Sequence, residues 1–329
     1  MFNPRTDLAV EAREIYNNNN KEVEIEGVSF DTKRMLGGIK IVTVNVLDEK
    51  GEEALGKPKG TYITMEIPEV KHYDVDLHED LTRALSEEIL KVVKIKKDLK
   101  TLVVGLGNWH VTPDSLGPKV VSKLMVTRHL KEYMPDQIDE GINPVAALAP
   151  GVLGITGIET AEIVKGIVEK TSPDIVIVID ALAARNVDRV ARTIQIGDTG
   201  IAPGAGVGNK RMELSMKTLG VPVIAIGVPT VVDAPTMAND TIDSMIDSLI
   251  SETKDNPDTK GFYTMLKSLN KEEKYEMIKG VLNSYSSNLM VTPKDIDALI
   301  EDLAKIIANS INISLHPSID IEDIDRYLF

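Results

Sequence analysis

Cysteine is absent from the 329 residues, and that single gap removes disulfides, thiolate nucleophiles and cysteine-ligated zinc together. Long apolar runs are missing too. No stretch approaches the ~20 residues that a bilayer-spanning helix needs, so no membrane partner is expected. Basic residues are the minority, 37 Lys and Arg against 51 Asp and Glu, for a net charge of −14. That balance argues against a nucleic-acid surface. The local exception, KVVKIKKDLK from Lys91 to Lys100, reads as the end of an amphipathic helix, where lysines favour the dipole and stay solvated. No secretory leader is read at the start, so a cytoplasmic-type compartment is expected.

What is present centres on Thr101 to Pro118, TLVVGLGNWHVTPDSLGP. Leu102 to Val104 form an apolar strand, and Gly105 and Gly107 allow a sharp exit from it. Thr112 is suited to cap a helix, Pro113 to occupy its first position and Asp114 its second. Apolar residues from Leu116 to Tyr133 recur at helical spacing, which puts Asp114 at the positive end of a helix dipole. An aspartate there is often no more than a cap. VTPK at Val291 to Lys294 repeats the same start with lysine in the acidic position.

A second constellation is DIVIVIDALAAR, Asp174 to Arg185. Ile175 to Ile179 make a buried strand, and Asp180 stands at its carboxyl end, where open α/β sheets place their ligands. If the strands at Leu102 and Ile175 end on the same sheet edge, Asp114 and Asp180 share one cleft. A carboxylate in such a setting is either ionised and hydrogen-bonded by backbone N–H groups or desolvated and protonated.

A third stretch, GDTGIAPGAGVGNKR from Gly197 to Arg211, is glycine-rich and contains Asp198, Gly204, Gly206 and Gly208. Its DTG is a single copy in an α/β pattern, whereas pepsin-like proteases need two in an all-β scaffold. Its Gly208-Asn209-Lys210-Arg211 does not complete a phosphate loop. A loop lining the cleft is the remaining functional reading. His110 and His129 flank the Asp114 segment; isolated histidines are more often structural than catalytic.

Along the chain, MFNPRTDLAVEAREIYNNNN ends in an asparagine run that breaks helices and reads as a tether. Residues 22–68 hold β-rich runs separated by turns, an antiparallel subassembly. A helix is expected from Asp76 to Lys97. Strands at Leu102 to Val104, Val145 to Leu148, Ile175 to Ile179 and Val223 to Ile226 then alternate with helices, and a helix from Pro293 to Ala308 lies near the end. The expected fold is α/β: a mostly parallel sheet covered by helices on both faces, phosphorylase/hydrolase-like, with the antiparallel subassembly before it. Residues 8–329 are expected to form one domain, with 240–329 its helical part.

These blocks carry a specific resemblance. VVGLGNWHVTPDSLGPKVV, LAPGVLGITGIET, DIVIVIDALAAR, IQIGDTGIAPGAGVGNKR and VPVIAIGVPTVVDA resemble the germination protease family of spore-forming bacteria. RTDLAVEARE near the start and NLMVTPKDID near the end match it as well, so the likeness runs from residue 5 to about residue 310. It implies an endopeptidase that degrades small acid-soluble spore proteins during germination, in the forespore or spore core. It also implies an atypical aspartic peptidase made as a zymogen, a homotetramer with no cofactor, whose acid pair corresponds to Asp114 and Asp180. RTDLAVEA resembles the family's substrate signature, an acidic residue followed by an aliphatic one and alanine. Self-cleavage between Asp7 and Leu8 is therefore expected, leaving residues 1–7 as a short prosegment.

The chemistry this points to is hydrolysis by a water held between two aspartates, with Asp114 the ionised base and Asp180 the protonated acid. Backbone N–H groups around Gly105, Gly107 and Asn108, or around Gly204 to Gly208, would then face the oxyanion. A second, more distant likeness is to the hydrogenase maturation endopeptidases, which share the G-x-G-N strand exit and an acidic residue six positions after the asparagine, as Asp114 is after Asn108. In that reading the carboxylates are metal ligands. A third ligand is not obvious, since Ala181 to Asn312 contains no histidine.

Overall fold

A computed structural model describes residues 6–20, 25–72, 74–204, 211–253, 278, 280–281 and 289–323. Among the described residues nine strands make one sheet: β1 (Val28–Arg34), β2 (Lys40–Val46), β3 (Gly60–Glu66), β4 (Thr101–Gly105), β5 (Val145–Leu148), β6 (Ile175–Ala184), β7 (Thr193–Gly197), β8 (Val223–Asp233) and β9 (Met290–Val291). Their spatial order is β1-β2-β3-β7-β8-β6-β4-β5, with β9 paired to β8. The parallel pairings are β5-β4, β4-β6 and β6-β8. The expected antiparallel subassembly is β1-β2-β3, and β7 joins it antiparallel to β8.

Strand composition explains the layering. Ile175 to Ile179 is buried along its whole length, as a strand covered on both faces must be. Alternation sends Ile177 and Ile179 to one face and Val176 and Val178 to the other. The first face packs on Leu81, Leu85 and Ile89 of helix Val75–Val92 and on Ile300, Leu303, Ile307 and Ile311 of helix Ile296–Leu315. Those two helices approach closely through small residues, Ser86 to Ser314 at 2.8 Å and Ser310 to the Thr82 carbonyl at 3.0 Å. The second face packs on Ala161, Val164 and Val168 of helix Thr160–Thr171.

Several local expectations are corrected. The opening segment is not a tether. It forms helix Ala9–Asn20, and Leu8, Ala9 and Val10 are buried against Val42, Val44, Tyr62 and Leu182. A fully buried leucine contributes about 2–3 kcal/mol, enough to outweigh the weak helix propensity of the asparagine run. The expected helix from Leu116 to Tyr133 is two, Leu116–Ser122 and Arg128–Tyr133. Between them the chain tucks Thr127 inside, where its hydroxyl donates to the Asn143 carbonyl and accepts from the Val145 N–H at 2.9 Å. Helix Val75–Val92 stops short of Lys97, and the last helix runs on to Leu315.

Strand β6 is also longer than its apolar run. It continues past Asp180 because β8 continues beside it, through a bulge at Leu182/Ala183, as far as Ala184. On the other side β4 stops at Gly105, opposite Ile179. From Asp180 onward β6 therefore has one open edge.

Candidate active site

Asp114 reaches that edge through a tight turn. Leu106 donates to the Ile179 carbonyl at 2.8 Å, carrying β4 one residue further along β6. Gly105 must be glycine because a Cβ there would lie 2.1 Å from the Gly117 carbonyl oxygen, so strand and helix touch backbone to backbone. Gly107 has φ +111°, and a Cβ on it would meet the Asp114 carbonyl oxygen at 2.0 Å. The Asn108 N–H donates to that same carbonyl at 3.0 Å, so residues 107–114 close as a clamp.

Asp114 itself ends a 3-10 turn, Thr112–Asp114, rather than opening an α-helix. Thr112 lies inside the turn and is not its cap; the α-helix begins after Ser115. The expected dipole stabilisation of an ionised Asp114 is outweighed. Burial pushes its carboxyl up to about 6, opposed by an N–H of Asn108.

Asp180 is 5% exposed, and its Oδ1 accepts from the Ala181 N–H at 2.9 Å. Burial raises its pKa well above the ordinary aspartate value, and the negative fields of Asp114 and then Asp7 push it further up. The two acids share a cavity of 540 Å³ with Asp7, Gly107 and Gly204. Two carboxyls whose pKa values are both raised form a coupled pair that holds a proton at pH values where free aspartate holds none.

The N-terminal segment lies along the open edge of β6. The Asp7 N–H donates to the Ala183 carbonyl at 3.1 Å, and the Ala183 N–H donates to Asp7 Oδ2 at 2.9 Å. The Asp7 carbonyl accepts from Lys57 Nζ at 2.8 Å and from Gln195 Nε2 at 3.2 Å. Gln195 Oε1 accepts from the Ala9 N–H at 2.7 Å. Further along, the buried Glu11 accepts from the N–H groups of Arg185 (2.7 Å) and Asn186 (3.0 Å) and pairs with Arg189. Leu8 between them is fully buried.

The other predicted residues separate into those at the cavity and those elsewhere. Asn108 serves the clamp, and its Oδ1 accepts from the His110 N–H at 3.0 Å. Asp198 holds the end of β7 to β3 by accepting from the Thr61 N–H at 2.7 Å. Gly206 and Gly208, like residues 1–5 of the expected prosegment, lie outside the described residues. His110 and His129 are exposed. Among the described residues no group of three or more His, Asp or Glu side chains is placed to hold a metal ion. In the same set no helix is long and apolar enough to cross a membrane.

Lys57 and Gln195 were not legible as site residues. Gln195 does leave a trace, one polar side chain inside the apolar strand TIQIG.

An α/β sheet with a buried carboxyl pair at the end of its parallel core, and a peptide segment held along the adjoining strand, has the form of a hydrolase cleft. The family model for germination protease matches residues 9–261 and 252–328, and the chain belongs to that family. It is 58% identical to the germination protease of Clostridium tetani, over 98% of this chain and 99% of that one. It is 56% identical to that of Clostridium acetobutylicum over the full length of both. Identity to the Bacillus subtilis germination protease is 47%, over 98% of this chain and 96% of that protein.

Proposed function

We propose that this chain is an endopeptidase that begins the degradation of small acid-soluble spore proteins at germination, and that it is made as a zymogen that cuts itself between Asp7 and Leu8. Water held between Asp114 and Asp180 is the nucleophile. Asp114, the less buried of the two, takes the water proton as base. Asp180 holds its proton and delivers it to the leaving amine. Family membership supports the peptidase activity. The observation that carries the acid-pair mechanism is one shared cavity: Asp7, whose carbonyl belongs to the expected scissile bond, lines it together with Asp114 and Asp180. With the family reading go a homotetramer and a place in the forespore or spore core.

Purified Asp114→Asn and Asp180→Asn chains, checked for folding by circular dichroism, test this against a small acid-soluble spore protein on gels. Each is expected to lose activity by ~10²–10⁴-fold, the usual worth of a general acid or base. Excess chelator is expected to leave the parent unaffected. Folded variants that cleave at the parental rate would overturn the aspartate mechanism, and loss of activity to chelator would favour a metal.

A further inference from the structure

We propose that Lys57 and Gln195 are the carbonyl-polarising pair of this peptidase, holding the oxygen of the bond to be cut while the aspartates handle the water. The proposal rests on the reading that the Asp7–Leu8 bond is a cleavage site.

Geometry brings the pair to the bond from two directions. Lys57 follows Gly56, which ends helix Glu49–Leu55 in a left-handed conformation. Its Nζ lies 2.8 Å from the Asp7 carbonyl oxygen, a backbone acceptor; burial lowers the lysine's pKa, and the negative charges of Asp7 and Glu11 work against that and favour the ammonium. Gln195 projects from β7. Its amide brackets the bond, donating to the carbonyl before Leu8 and accepting from the N–H after it. That double contact fixes which end of the amide is nitrogen.

Sheet register explains why the amide and the acid work on one substrate. Asp180 pairs with Gly227, and Gly227 pairs with Gln195, so the three stand in one row across β6, β8 and β7. Residues directly opposite in a sheet share a face. The middle place is a glycine, and the buried Leu182 side chain of β6 packs over it, so the acid and the amide stand about 10 Å apart on either side of that leucine. Gly227, Lys57, Gln195 and Asp7 line one 230 Å³ cavity, and Asp7 alone of these also lines the cavity of the acid pair. The peptide thus bridges the two.

During hydrolysis the water oxygen bonds to the Asp7 carbonyl carbon and its proton passes to Asp114. The C=O electron pair moves onto the oxygen, which becomes an anion facing the Lys57 ammonium and the Gln195 N–H. When that pair returns, the C–N bond breaks and the Leu8 nitrogen takes the proton of Asp180. A fixed cation and a fixed N–H donor favour the anion over the neutral carbonyl, and removing one such donor costs ~10²–10³-fold.

The test uses the full-length chain and follows loss of residues 1–7 by intact mass. Lys57→Met, which keeps the stem and drops the charge, is expected to process ~100-fold more slowly, and Lys57→Arg to recover most of that loss. Gln195→Leu is the second variant should Lys57→Met not fold. Hydrogen exchange at the Asp7 and Ala9 amides is expected to stay slow in Lys57→Met, showing the segment still docked. Parental processing by Lys57→Met, or loss of that protection, would overturn the assignment, the latter making Lys57 a docking residue only. If the parent is not cut between Asp7 and Leu8, the zymogen reading fails by itself. The pair is then judged on added small acid-soluble spore protein, where kcat is expected to fall with KM nearly unchanged, and an unchanged kcat would reject it.

Discussion

Asp7 and Ala183 exchange two hydrogen bonds, one through the Asp7 backbone N–H at 3.1 Å and one through the Asp7 carboxylate at 2.9 Å. The second is made by a side chain in the position where a paired strand would present a carbonyl. An acidic residue is thereby held against the end of β6, with its charge close enough to Asp180 to raise that group's pKa.

Asp7→Asn keeps an oxygen for the Ala183 N–H and removes the charge. Asp180 is then expected to ionise more easily, so its titration moves to lower pH. Carboxyl-carbon NMR of a labelled chain measures this directly. An Asp180 titration unmoved by the substitution would mean that the Asp7 charge does not reach it.

The acid pair also sets a pH dependence of stability. Asp114 has a folded pKa of about 6, above the value near 4 of an unfolded aspartate. Between those values the native state holds a proton that the unfolded state has released, so stability falls as pH rises through this window and levels off above it. Asp180, whose pKa is also raised by burial, acts in the same direction. Asp114→Asn removes the titration. Its melting temperature is expected to exceed the parent's by ~2–4 °C at pH 7.5, and the gain to vanish by pH 4. A variant less stable than the parent at both values would contradict the sign.

Gly107→Ala tests the clamp. The backbone there has φ +111°, and a methyl group would collide with the Asp114 carbonyl oxygen. The turn must shift, carrying the Asp114 carboxyl with it. Proteolytic activity is expected to fall at least tenfold, with far-ultraviolet circular dichroism unchanged because the sheet is not touched. Alanine at Gly166, in helix Thr160–Thr171 and away from the cavity, where a Cβ meets nothing within 4 Å, serves as the control and is expected to be neutral.

Much of this was legible in the chain, and the limits have physical causes. Ile175 to Ile179 announces a doubly covered strand because only such a strand tolerates five β-branched residues in a row, and the glycines after Val104 announce its neighbour's exit. Those two signals were enough to bring Asp114 and Asp180 together. The length of β6 was not legible, because ALAA after Asp180 has no strong strand preference and is held extended by β8. The 3-10 turn at Asp114 was hidden behind a Thr-Pro pair that suits an α-helix start equally well. Lys57 and Gln195 were invisible for a different reason. One sits in a lysine-glycine turn and the other in a strand 138 positions later, and only the sheet order β3-β7-β8-β6 brings them to the same carbonyl. The first residues misled most, since an asparagine run outweighs Leu8 in any local reading and only the burial of Leu8 reverses it.

That burial of Leu8 bears on what a cut would leave behind. Hydrolysis after Asp7 turns the Leu8 nitrogen into a terminal amine, with an ordinary pKa of about 8, anchored by a side chain with no exposure. Departure of the preceding residues takes away the Asp7 carboxylate that now weighs on Asp180. The cleft would exchange a negative charge for a positive one without any rearrangement of the sheet. Asp180 would then ionise at lower pH than it does in the precursor.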